Sequence, residues 1–242
     1  MRRPGGLSSR ILRGITCRLP PHLKVGGGLL RVCYRRCMPP EPRKDGPSDT
    51  NELEYTTRLE KLSAARWKKL IGAQAPYRWH IRRVVEGLVL DVGCGIGRNL
   101  AHLDGKGVGV DPNRHSVKLA RERGLTVYTA EDFRSSQDAL PGRYGTIMFA
   151  HVLEHMELDE ATDLVASYLP FLNSRGRIVV IVPQEAGFRS DRTHIAFVDV
   201  DEIARIANSN GLVVEDDYSF PFPRFTGRFF RHNETVGILR KS

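Results

Sequence analysis

The sequence predicts an α/β fold: a seven-stranded, mostly parallel sheet with helices on both faces and an antiparallel last strand. Three observations carry this expectation. From residue 87 onward, short apolar runs alternate with amphipathic stretches, the order in which strands pair in parallel through helical crossovers. The run IVVIV at 178–182 is apolar without interruption, as a strand covered on both sides must be. The last two strand-like runs have no helix between them, so they form an antiparallel pair at one edge.

Taken in order, the strand-like runs are 87–92, 106–111, 125–129, 144–150, 176–182, 212–219 and 235–240. The helical runs between them are 97–103, 113–123, 157–172 and 199–209. The last of these has its own start and stop signals: Asp199 as N-cap, Glu202 three residues on, and Gly211 closing the turn. Ahead of the sheet, 51–72 reads as a helix with Leu59, Leu62, Leu70 and Ile71 on one stripe and Gly72 as its stop. A second short helix covers 76–85, with Pro76 near its start and Arg78, Trp79 and His80 on a surface packed beside the sheet.

Composition limits the function classes. The chain has 242 residues, 40% of them apolar, enough for one large domain with an appendage. No apolar run approaches the roughly 20 residues that span a bilayer. The net charge of +9 is unevenly placed. Residues 1–44 hold eleven Lys and Arg against the single acid Glu41, a local +10, so the remainder carries −1. A nearly neutral domain is a poor match for a polyanionic substrate, and no nucleic-acid partner is expected for it.

The organisation expected is a basic leader over 1–48, a helical segment over 49–86 and the strand–helix domain over 87–242. The leader is rich in Arg, Gly and Pro without a steady apolar period, and reads as disordered. A transit sequence, a tether for anionic surfaces and a true start at Met38 all account for it, the last being the plainest. Cys17, Cys33 and Cys37 lie in the leader and Cys94 in the domain, so a disulfide framework is not expected. Cys33 and Cys37 with His22 lack the second ligand pair of a zinc site. The expected compartment is the cytoplasm, or the mitochondrion if the leader is a transit sequence.

The stretch LVLDVGCGIGRN at 88–99 points to chemistry: a strand that ends in Asp91–Val92 and opens into three glycines within five residues. In such sheets ligands sit outside the carboxyl ends of the strands, where this loop falls. A dinucleotide loop needs G-x-x-G where Arg98 stands, and a Walker loop needs Gly-Lys-Ser/Thr. Asp91 beside the loop is unfavourable to phosphate. A second acid, Asp111, ends the next strand and suits a ribose diol. An amino-acid-bearing nucleoside matches both, its ammonium near acids and its carboxylate near backbone N–H groups.

VLDVGCGIGRN followed by GVGVDPN resembles motifs I and II of class I S-adenosylmethionine-dependent methyltransferases, and FAHVLEHM at 149–156 resembles the segment after strand four in the small-molecule subfamily. The likeness runs from about 76 to 240. It implies a Rossmann-like fold with S-adenosyl-L-methionine as cofactor. It further implies that Gly93, Gly95 and Gly97, with Cys94 among them, line the methionine part. Asp91 would hold the loop or the ammonium, and Asp111 the ribose, with Pro112 following. Glu131 or Asp132 would accept from the adenine amino group, Phe133 would cover the ring, and His151 would lie near the sulfonium.

Methyl transfer is an in-line displacement in which an acceptor hydroxyl must also lose a proton, a task suited to histidine. His151, His155 and His194 follow strands in the right half of the sheet. His194, in SDRTHIAFVD, is the first choice as base or acceptor-orienting group, with His151 second. His155 is read as structural, on the opening turn of a helix, and Glu154 as exposed.

The Asn/Asp-Pro-Pro-Phe/Tyr signature of nucleobase amino methylation is replaced by AHVL, no free domain cysteine serves base-carbon methylation, and no strand-end carboxylate cluster suggests a catechol-type magnesium site. The expected acceptor is a small molecule, sugar or lipid-linked compound methylated at oxygen, by a monomer or homodimer. The alternatives are a non-catalytic partner protein with this fold, and an RNA or protein methyltransferase. Between the last strands, Phe220, Phe222, Phe225, Phe229 and Phe230 alternate with Arg224, Arg228 and Arg231, which reads either as an acceptor wall or as plain packing.

Overall fold

The computed structural model describes residues 75–242. The leader, the helix expected at 51–72 and the alternative start at Met38 lie outside the described residues.

Helix α1 (Ala75–Val84) precedes strand β1 (Val89–Val92), and the chain then alternates: α2 (Arg98–His102), β2 (Val108–Val110), α3 (Arg114–Glu122), β3 (Val127–Tyr128), α4 (Ala130–Ser135), β4 (Tyr144–Ala150), α5 (Leu158–Tyr168), β5 (Leu172–Pro183) and α6 (Glu185–Phe188). It ends with α7 (Val200–Ser209), β6 (Leu212–Phe220) and β7 (Glu234–Lys241). Among the described residues the strands form one sheet of order β3-β2-β1-β4-β5-β7-β6. β1 to β5 are parallel, and β7 runs antiparallel to both β5 and β6. The expected architecture is met, with the reversed strand inserted before the edge rather than forming it. No helix among the described residues is long and apolar enough to cross a membrane.

The alternation of side chains along each strand makes two cores. On one face Ile81 and Val84 of α1 pack with Val89, Met148, Val179, Ile181 and Val236 from four strands. This anchors α1 across the sheet. On the other, α2 and α3 bring Leu100, Val117 and Ala120 against Val127 and Cys94. A set of aromatic rings closes that side, with Phe133 touching Tyr128, Tyr144, Tyr168 and Phe171 at centroid separations of 5.1–6.4 Å.

The helix expected over 157–172 stops at Tyr168 and passes into a 3₁₀ turn, Leu169–Phe171, because Pro170 has no N–H to continue the ladder. Four short elements escape a periodicity reading: α4, α6 and the 3₁₀ turns Leu153–His155 and Arg224–Arg228. Each has six residues or fewer, too short for a stripe to show. α4 forms where a cofactor contact is expected, started by Thr129, whose side-chain oxygen accepts from the Asp132 N–H at 3.1 Å.

Candidate active site

The loop after β1 is held from below and open above. The Gly93 and Cys94 N–H groups donate to the Val110 carbonyl at 2.7 and 3.1 Å, which ties the loop to the end of β2. Gly93 has φ +74°, and a Cβ there would run into Val152. At Gly95 the conformation is again left-handed, φ +52°, but no atom lies within 4 Å of where a Cβ would stand. One glycine is demanded by the backbone and a neighbour; the other leaves open space beside the loop, room for a ligand to approach the backbone. Gly97, at φ +78°, then starts α2 without a side-chain cap. The Cys94 side chain turns inward to the core and faces Gly109, where a Cβ would stand 2.6 Å from its sulfur. Burial pushes its thiol pKa up. Only its backbone is therefore available to a ligand.

Two acids flank the loop in different states. The Asp111 carboxylate accepts from the Gly95 N–H at 2.7 Å and the Asn113 N–H at 2.9 Å, joining the loop to the start of α3. Pro112 lies between these anchors. Asp91 is 1% exposed, and both its oxygens lack a hydrogen-bond partner. Burial raises its pKa to about 7; Asn99 and Arg98 nearby oppose this, and Asp111 reinforces it. A buried carboxylate with no donor beside an open backbone cradle is incomplete by itself, and a ligand ammonium is the partner such a group lacks. The site therefore fits an amino-acid-bearing nucleoside.

On the far side of this cleft, Glu131 and Asp132 in the first turn of α4 face Arg114 and Arg121 at 3.6 and 3.9 Å, largely exposed. Phe133 differs from expectation. It is fully buried among the four rings named above, so its ring is turned away from the cleft.

The other half of the site is built from residues far apart in sequence. His151, just after β4, takes φ +59°, and its N–H donates to the Ile181 carbonyl at 2.9 Å. Its Nε2 is 2.8 Å from Glu234 Oε1, at the start of β7, and its Nδ1 is 3.3 Å from Glu154 Oε1. Burial acts to lower the His151 pKa, but Glu234 and Glu154 outweigh it and raise it to about 10. The ring is a cation at neutral pH. Beside it, Tyr77 donates to the His232 carbonyl at 2.6 Å, and His80 Nε2 pairs with the Tyr218 hydroxyl at 2.7 Å. Phe220 stacks on His80 at 4.0 Å. His80 is thus the member of the expected helix surface that packs beside the sheet; it is buried, and burial lowers its pKa.

Glu154 is also not where expected: it is 0% exposed. His155 belongs to the 3₁₀ turn Leu153–His155 rather than to the helix that follows, and its ring meets His194 at 4.9 Å between centroids. His194 stacks on Phe188, and its Nδ1 lies 2.8 Å from the Phe188 carbonyl. The structure therefore gathers all three candidate histidines at the carboxyl ends of β4 and β5. The phenylalanine segment divides. Phe220 lines the interior, while Phe222, Phe225, Phe229 and Phe230 are exposed. Arg224 is taken by Glu185 at 2.7 and 2.8 Å. Gln184 and Asn233, both wholly buried, pin the segment through a 2.9 Å bond between them.

Glu234, Tyr77 and Gln184 go unnoticed in the sequence, since each matters through partners 35 or more residues away. Glu154 did leave a signal: a lone acid in HVLEHM, three residues after one histidine and directly before another.

Comparison with known proteins agrees with this geometry. Residues 60–216 match the model of a family described as a methyltransferase domain. No curated protein matches the chain. Among solved structures, a possible histamine N-methyltransferase from Thermotoga maritima is 14% identical with a TM-score of 0.59, over 79% of this chain and 100% of that one. A TehB-like S-adenosylmethionine-dependent methyltransferase from Corynebacterium glutamicum is 18% identical with a TM-score of 0.57, over 81% and 100%. A mitomycin 7-O-methyltransferase is 16% identical with a TM-score of 0.53, over 82% and 62%. At these identities the structures share the fold, and the family match covers most of the chain: it belongs to the methyltransferase-domain family and uses S-adenosylmethionine as its methyl donor.

Proposed function

We propose that the protein methylates an oxygen atom of a small-molecule, sugar or lipid-linked acceptor. In this reading Gly93, Cys94, Gly95 and Gly97 hold the methionine part of the cofactor by their backbone, and Asp91 takes its ammonium. Asp111 with Pro112 receives the ribose, and Glu131 or Asp132 the adenine amino group. Phe133 contributes to the adenine side by supporting α4 from within. S-adenosylmethionine, when bound, supplies an electrophilic methyl group. The chain's own residues orient both reactants, exclude water and take the acceptor proton.

One observation carries the division of labour between the histidines. His151 is clamped between two carboxylates and charged, so it has no lone pair to offer a proton. His194 has only its Nδ1 engaged, by the Phe188 carbonyl. A carbonyl only accepts, so Nδ1 carries the hydrogen and Nε2 faces the acceptor side as base or orienting group. His151 is then a positioning residue that holds the junction of β4 and β7.

Support for a small acceptor comes from solved methyltransferases whose names specify one, among them a possible histamine N-methyltransferase and a mitomycin 7-O-methyltransferase. The test begins with calorimetric titration of S-adenosylmethionine into the wild type and Asp111→Ala. A loss of more than tenfold, about 1.4 kcal/mol, is expected for the variant. Transfer of labelled methyl to a panel of hydroxyl and amine acceptors follows, with loss of turnover in His194→Ala. Methylation of amines alone overturns the oxygen assignment, and undiminished turnover in His194→Ala overturns the role of that residue.

A further inference from the structure

Glu154 and His155, which methyl transfer as described above leaves unexplained, form a cluster with His194. One nitrogen from each ring and one carboxylate oxygen lie within 4.8 Å of one another. Glu154 is fully buried and neither of its oxygens has a hydrogen-bond partner. Its neighbour His151 is close enough, at 3.3 Å, for its charge to be felt, but lies off the line of a hydrogen bond. Glu154 thus has the His151 ring on one side and the nitrogens of His155 and His194 within 4.8 Å on the other.

Both histidines are prepared in the same way. His155 Nδ1 lies 3.1 Å from the Thr193 carbonyl, and His194 Nδ1 lies 2.8 Å from the Phe188 carbonyl. Each carbonyl requires the hydrogen on Nδ1, which leaves a bare Nε2 in the neutral ring. This is the arrangement by which metal-binding imidazoles are oriented, one nitrogen toward the ion and the other anchored on an acceptor. The backbone that presents the rings is also fixed. The Ile195 and Ala196 N–H groups both donate to the Glu154 carbonyl, at 2.7 and 3.3 Å, strapping the His194 loop to the turn that carries Glu154 and His155.

We infer that Glu154, His155 and His194 bind a divalent first-row transition-metal ion through one carboxylate and two Nε2 atoms. Two imidazoles and one carboxylate are the donor set of zinc, manganese or iron rather than of magnesium or calcium, which prefer oxygen throughout. Three protein ligands leave coordination positions open, and they open at the carboxyl ends of β4 and β5, where the acceptor is expected. An acceptor hydroxyl on such an ion loses its proton to solvent more readily, so His194 would act on the acceptor through the metal instead of as a base. The inference rests on His194 being an acceptor-side residue. Gathering the three ligand atoms around one ion requires them to close in from 4.8 Å, which rotation of the half-exposed rings allows.

Binding is to be read directly, apart from turnover. Mn2+ is titrated into the full chain and followed by the loss of the free-ion electron paramagnetic resonance signal. Manganese is the probe because the thiols of Cys17, Cys33 and Cys37 favour softer ions. Wild type is expected to bind one ion, with Zn2+ competing at the same site. His155→Ala, His194→Ala and Glu154→Gln should each weaken binding at least tenfold. S-adenosylmethionine titration on the same samples certifies that each variant is folded, and His155→Ala is the decisive one because its side chain is not buried in the core. No binding by the wild type, or equal binding by wild type and a cofactor-competent His155→Ala, overturns the metal site while leaving the methyltransferase reading intact. Loss of cofactor binding by the wild type itself would instead overturn that reading.

Discussion

The two halves of the site are built by different means. The cofactor half, at the ends of β1 and β2, consists of backbone: three glycines, N–H groups and two acids within 21 residues, from Asp91 to Asp111. The acceptor half, at the ends of β4, β5 and β7, consists of side-chain pairs that span long sequence separations: 83 residues between His151 and Glu234, and 49 between Gln184 and Asn233. A backbone cradle depends on what is missing from each position, and a paired network depends on what is present at two distant ones. The first kind should fail when atoms are added, the second when a charge is removed.

The largest effect on cofactor affinity is expected where an atom is added to the cradle. Gly95→Ala puts a methyl into space that no protein atom uses, at φ +52°. The left-handed conformation costs about 1–2 kcal/mol of stability for alanine, so the protein stays folded. Cofactor affinity should fall at least a hundredfold, about 2.7 kcal/mol, by calorimetry. If affinity is unchanged, the cofactor does not lie against this glycine.

The buried acid of the same half supplies the next effect. Asp91 is protonated in the folded protein up to about pH 7, against an ordinary value of 3.8. Between these values the folded state binds the extra proton, so stability falls as pH rises from 4 to 7 and is level above. The span amounts to about 4 kcal/mol at 1.36 kcal/mol per unit. Subtracting the pH–stability curve of Asp91→Asn from that of the wild type should isolate this decline, measured without cofactor. Cofactor should remove it, since an ammonium stabilises the ionised acid, and binding near pH 6 should then release a proton. Calorimetry in buffers of different ionisation enthalpy checks the release; its absence means that the ammonium lies elsewhere.

This contrast also explains what could be read from the sequence. The seven strands, the reversed strand and the glycine loop were legible, because apolar runs such as 178–182 and a dense local motif leave marks in adjacent residues. His151 and His194 stood out by residue type, but their states did not. That His151 is a cation depends on Glu234, and that His194 meets His155 depends on two N–H groups of a loop reaching the Glu154 carbonyl. Glu154 and Phe133 show the same limit from the other side. An acid on a short turn and a phenylalanine in a cofactor motif are read by default as exposed and as ligand-facing, and packing from α5 and β5 decides otherwise.

In the acceptor half, removing one charge should be felt through its partner. Glu234→Gln leaves a bond to His151 but takes away the charge that contributes most to raising its pKa. The wild-type ring keeps the proton until about pH 10, so the stabilisation it contributes is present below its ordinary value of 6.5 and is lost as pH rises through 10. In the variant that loss should move down by at least one pH unit, read from the His151 ring by NMR titration. Turnover should follow the same shift if His151 has to be charged to hold the junction of β4 and β7. An unmoved ring titration assigns the shift to Glu154 instead.

The smallest effect is expected at the rim of the same half. Phe229 is 85% exposed, while Phe220 of the same segment stacks on His80 at 4.0 Å. Phe229→Ser should change stability by less than about 0.5 kcal/mol and leave cofactor affinity untouched, because it removes no buried area and no bond. Phe220→Ser should cost about 3 kcal/mol or more, the range for emptying a packed aromatic site. The pair, compared by chemical denaturation, tests whether an aromatic run that looks uniform in sequence divides into a wall and a fringe. Equal costs would mean that Phe229 is covered in solution by something outside residues 75–242.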